Sequence, residues 1–214
     1  MVNDTIADQL SLESYVIQRE HGIHLGGMPF DIKDRANNLL FRAKTNLLGT
    51  EITIQDTAGN ILGQSRHKLV SITPTFYLYD GDAQQGKLVA IVKRPVMENM
   101  ANTFSEDLTI EDQSGAVVAR ASGKFNGFLN YEYNITSNQG EQIGTISTGT
   151  PGEGLKNLIS IGGFKRTLTL NITKQGILPN IILLEFLITI ELKTIEEESR
   201  AHANTRREGP MFKI

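Results

Sequence analysis

A mainly β fold, an antiparallel meander ending in one apolar helix, is what this sequence predicts. Three observations carry the prediction. Four stretches repeat one pattern, an apolar residue, a polar residue opening a turn, then a second apolar pair: Ile32–Leu40, Ile54–Leu62, Ile110–Val118 and Ile135–Ile143. Between the turns lie short runs in which apolar and polar residues alternate, the signature of half-buried strands. Near the C-terminus comes a long glycine-free apolar segment, Ile177 to Glu198.

Each repeat has the chemistry of a hairpin tip. Asp or Ser opens the turn, and Gly or Asn follows where positive φ is required. A longer tip, Tyr79–Lys87, falls between the second and third copies. Strands are expected at 15–20, 28–32, 39–44, 51–55, 61–70, 75–79 and 88–93, then at 108–111, 116–120, 131–135, 142–146 and 166–172. That makes about a dozen, at spacings suited to sequential antiparallel pairing.

The core of the last segment, Ile181–Ile190, is too long and too continuously apolar for a surface strand, although its β-branched residues leave a strand reading open. Pro179 suits a helix start, and neither Gly nor Pro recurs before Gly209. A helix apolar on nearly every side belongs in a protein core or a membrane. A span needs about 20 apolar residues, and Glu185 interrupts this run, so burial is expected. A barrel wrapped around the helix would bury it, with Glu185 a satisfied core carboxylate or facing a polar cavity.

The 214 residues suit one domain, expected at 12–198, with a mixed-charge tail at 199–214. A net charge of -3 offers no global attraction to nucleic acid. The absence of cysteine removes disulfides, thiolate metal sites and thiol nucleophiles, and fits a reducing compartment. Met1–Asp8 has neither a basic nor an apolar signal region, which gives a cytoplasmic expectation.

Ile54–Gly63, followed by Arg66–Asp80 and Gly86–Arg94, resembles the LURP-one-related proteins of the Tubby C-terminal-like superfamily, which includes the phospholipid scramblases. Tyr15–Arg19 and the terminal apolar segment fall in the family's order, and the likeness covers most of 12–198. The resemblance implies a twelve-stranded barrel enclosing a C-terminal hydrophobic helix. It also implies a non-enzymatic domain with no cofactor, binding an anionic phospholipid or phosphoinositide through basic side chains, peripherally at a membrane. The chain lacks the scramblases' cysteine cluster and a convincing calcium loop, so scrambling is not expected. The alternative is a protein-interaction scaffold.

Motifs for other chemistry are weak. His21 and His24 are two imidazoles where a metal needs three or four ligands. Asp80–Gly86 lacks the glycine and the bidentate Glu of a calcium loop. Gly63–His67 is no nucleophile elbow, and Gly152–Asn157 no phosphate loop. The positive lead is cationic: Arg42 and Lys44 alternate onto one strand face, as do Arg66 and Lys68. Lys93, Arg94, Lys165 and Arg166 stand at the ends of other strands. Converging, these would suit phosphate or lipid head groups. Scattered, they are a solvated exterior that discourages edge pairing.

Overall fold

The computed structural model describes residues 5–19, 27–68, 75–93, 105–125, 131–148 and 167–192. After a capped turn of helix, α1 (Ile6–Gln9), come β1 (Ser14–Arg19), β2 (Pro29–Lys33), β3 (Leu39–Thr45), β4 (Glu51–Asp56), β5 (Ile61–His67) and β6 (Thr75–Asp80). They continue as β7 (Lys87–Lys93), β8 (Ser105–Glu111), β9 (Val117–Phe125), β10 (Tyr131–Ser137), β11 (Gln142–Thr148) and β12 (Thr167–Ile172). Each pairs antiparallel with its neighbours in sequence, and β12 returns to β1, so the sheet is a closed barrel. Closure leaves no exposed sheet edge.

Local chemistry sets the tips at one end of the barrel. At Asp34, Asp56, Asp112 and Ser137 the backbone carbonyl accepts from the amide three residues on, and the backbone amide donates to the carbonyl four on. Each side chain accepts from the amide four on, at 2.8, 2.8, 3.0 and 3.1 Å. The residue three on takes positive φ: Asn37 at 67°, Gly59 at 92°, Gly115 at 84° and Gly140 at 82°. Asp80–Gly86 is likewise a hairpin turn, with Gln84 N–H donating to Asp82 Oδ1 at 2.7 Å.

Register then decides which residues face inward. Phe30 pairs with Ala43, Ala43 with Ile54, and Ile54 with Gly63, a row that is buried throughout. One residue along, Arg42 pairs with Gln55, and Lys44 with Thr53, on the outside. A twelve-stranded barrel is wider than the eight-stranded barrels that side chains alone can fill.

Helix α2, residues 180–192, supplies the filling. At 1.5 Å per residue it is about 20 Å long. Every residue from Asn180 to Glu191 is buried, and eight of the ten at 181–190 are Ile, Leu or Phe. They share one core with inward residues of the barrel strands. Each such side chain contributes about 1.5–3 kcal/mol on burial. Asn180 pins the helix start, its Nδ2 donating to Leu12 O at 3.1 Å and to Tyr15 Oη at 3.2 Å. The stretch 193–198, the tail 199–214 and the loop 149–154 lie outside the described residues.

Gly63 marks a close approach. A methyl group there would overlap Glu185 Oε1 and stand 2.7 Å from Ile181 Cγ1. The expected satisfied carboxylate is corrected by this packing: both Glu185 oxygens are buried without a hydrogen-bond partner. The strand opposite presents a glycine, and its backbone groups are committed to the ladder. Burial pushes the Glu185 carboxyl well above the ordinary range; the Tyr79 backbone amide favours the charged form, and the Asp80 charge adds to the rise. Burial therefore favours the protonated form of Glu185.

Candidate functional site

Among the described residues α2 shares the barrel core with the inward strand residues, and the cationic candidates lie elsewhere. Ser65 is 1 % exposed and faces inward, and His67 stacks on Phe76 with ring centroids 4.4 Å apart. Neither arrangement presents a nucleophile to a substrate. Among the described residues no group of three His, Asp or Glu side chains could hold a metal ion. His21 and His24 lie outside them.

The cations stand on alternate strands of the barrel exterior. Arg42 and Lys44 project from β3 and are exposed. Arg66 projects from β5, and Lys68 follows it, exposed, just past the strand end. Lys93 ends β7, four strands from β3, about 19 Å away around the sheet at normal strand spacing. Two of these charges are already engaged. Arg66 Nε lies 3.2 Å from Glu51 Oε2, and Lys93 Nζ lies 2.5 Å from Glu111 Oε2. Arg42, Lys44 and Lys68 make no ion pair among the described residues, although Asp31 is the cross-strand neighbour of Arg42. Register puts Lys93 in one row with Lys68, two strands away across Thr75. Its ion pair with Glu111, not distance, separates it from Arg42, Lys44 and Lys68. Arg94, Lys165 and Arg166 lie outside the described residues.

A feature missed in the sequence sits beside this group. The β3–β4 connection repeats the tip geometry of the opposite end. Gly49 N–H donates to Asn46 O at 3.1 Å, and Thr50 N–H to Asn46 Oδ1 at 2.8 Å. Gly49 takes φ 66°. The two residues on its crest are Leu47 and Leu48, 75 % and 77 % exposed. The next most exposed large apolar side chain among the described residues is Ile6 at 39 %. His67 N–H donates to Thr50 O at 2.7 Å, which brings the end of β5, and Lys68 with it, alongside the tip. The signal was present in the sequence as Asn46, then two Leu, then Gly49. Asn in place of Asp, and leucines where turns carry polar residues, hid it.

The LURP-one-related family model matches residues 15–104. The match runs from β1 past β7 and covers under half of the 214 residues. The solved X-ray structure of an Arabidopsis thaliana protein is similar to this chain at 13% identity and a TM-score of 0.46, covering 86% of this chain and 91% of that one. No curated protein matches.

The stretch matched by the family model contains Arg42, Lys44, Lys68 and the Leu47–Leu48 tip. Helix α2, which fills the barrel, lies beyond it in the chain. Among the described residues no helix is long and apolar enough to cross a membrane.

Proposed function

We propose that this protein is a non-enzymatic module that binds an anionic phospholipid surface, phosphoinositides included, through the outside of its barrel. The observation that carries the reading is the set Arg42, Lys44 and Lys68, exposed around β3–β5 with no ion pair among the described residues. Cations held on a rigid sheet lose little freedom when they meet phosphate groups, and each contributes about 1 kcal/mol near an anionic leaflet. The buried helix supports peripheral contact, because its apolar faces are already used against the barrel. The opposite end supports the same orientation: its tips carry Asp34, Asp56, Asp80, Asp82 and Asp112, which an anionic surface would repel.

Vesicle flotation tests the proposal. Binding is expected to be absent on phosphatidylcholine alone, to rise with phosphatidylserine or phosphoinositide content, and to weaken with salt. Arg42→Glu/Lys44→Glu/Lys68→Glu is expected to lower it by about 100-fold, from about 1 kcal/mol per lost cation. Equal binding to neutral vesicles, or binding that the triple reversal leaves intact, would overturn the reading. A partner protein retained through the same residues by vesicle-free samples would point instead to an interaction scaffold.

A further inference from the structure

The β3–β4 tip goes further than surface charge, and the inference drawn from it rests on the lipid reading above. We propose that Leu47 and Leu48 form a wedge that inserts into the acyl region of an anionic bilayer while Lys44 and Lys68 hold the phosphate layer around it.

Turn geometry does not ask for these leucines. Four tips at the other end share the bond from the third amide to the opening carbonyl, the side-chain bond to the fourth amide and the positive φ. They differ only in that the Asn46 amide donates to Glu51 O, five residues on rather than four. At the two crest positions they carry Arg35–Ala36, Thr57–Ala58, Gln113–Ser114 and Asn138–Gln139. Crest positions favour polar or small residues because they project into water. Only the β3–β4 tip, among these five, places two large apolar side chains there.

The tip is also built to hold its shape. Asn46 Oδ1 accepts from Thr50 N–H at 2.8 Å and from Glu51 N–H at 3.3 Å, and Asn46 Nδ2 donates to Thr50 Oγ1 at 2.9 Å. Such a crest carries its apolar side chains at a fixed height above the sheet, so little ordering is needed on insertion.

Charge complementarity selects the occupant. Lys44 stands two residues before the turn, and Lys68 beside Thr50, both exposed with no ion pair among the described residues. An apolar point flanked by two lysines matches an anionic membrane interface, where apolar side chains reach the acyl boundary and Lys meets head groups. A purely apolar protein groove would instead leave those charges to be desolvated.

The chain has no tryptophan, so Leu48→Trp introduces a single reporter at the crest. Leu47→Trp serves as its duplicate. With phosphatidylcholine/phosphatidylserine vesicles the emission is expected to shift to the blue and to be quenched by bromine-labelled acyl chains; pure phosphatidylcholine should give neither. Leu47→Ser/Leu48→Ser is expected to lower vesicle partitioning on the order of 10-fold or more, with thermal unfolding unchanged because both residues are exposed. Vesicle binding without blue shift or quenching would overturn the wedge and leave the head-group reading standing. No binding of the unaltered chain to anionic vesicles would overturn both. A blue shift without lipid that grows with protein concentration would assign the tip to a second copy of the chain, and would also overturn the wedge.

Discussion

Replacing Glu185 by Met is expected to stabilise the protein at pH 7 and above. The substitution keeps an unbranched side chain of similar size and removes a buried carboxyl whose oxygens have no partner. Relieving one such group is worth about 1–3 kcal/mol, or on the order of 2–12 °C in Tm for a chain of this size. The pH dependence gives the sharper check. The folded carboxyl titrates well above its ordinary value of 4.5 because burial disfavours its charge. Above pH 4.5 the unfolded chain releases this proton while the folded protein keeps it. The native protein therefore loses stability as pH rises through that interval, until the folded group also titrates. Glu185→Met lacks this loss, so its advantage should be smallest near pH 4 and widen as pH rises above 4.5. Asp56 and Asp112 act on the other side. Hydrogen bonds, from Asn60 and Ser114 foremost, hold their carboxyls below the usual range. Their contribution is present above the ordinary carboxyl pKa and lost as pH falls, in both proteins alike. Thermal melts from pH 4 to 8 would measure the difference. A Tm lowered by Glu185→Met at every pH would mean that the carboxylate is paired.

Gly63→Ala is expected to have the opposite effect, and a larger one for its size. The added methyl would overlap Glu185 Oε1 and crowd Ile181. Helix and strand would have to part within a packed barrel, at a cost of about 1–3 kcal/mol. Shortening the opposing side chain makes the test specific. In Gly63→Ala/Glu185→Ala the methyl group gains room, so the double variant should be more stable than the sum of its single changes by at least about 0.5 kcal/mol. Denaturant melts of the four proteins give this coupling directly. Additive effects would show that β5 and α2 do not meet face to face.

What the sequence revealed follows from how local each signal is. The strands and the four Asp- or Ser-opened tips were legible because turn chemistry is read within five residues. Helix α2 was legible from its length, its apolar continuity and the interruption at Glu185. The tip at Asn46–Thr50 was not, because Leu47 and Leu48 extend the apolar character of β3 and mask the turn. Whether the cations converge could not be read from their spacing. That depends on strand order and register, which set Glu51 beside Arg66 and Glu111 beside Lys93 while leaving Arg42, Lys44 and Lys68 without ion pairs among the described residues. The missing partner of Glu185 was equally hidden, since only the fold places a glycine opposite it.

The central claim is that α2 is the core of the barrel and stays there when the protein meets its target, leaving recognition to the exterior. Hydrogen exchange at the backbone amides of 183–190, with and without phosphatidylserine vesicles, tests it most directly. These amides should be among the slowest in the chain, exchanging only through global unfolding, and vesicles should leave them unchanged while protection rises at 46–50. Exchange at 183–190 that is fast in solution, or that accelerates when vesicles are added, would show that the helix leaves the barrel and would contradict the account.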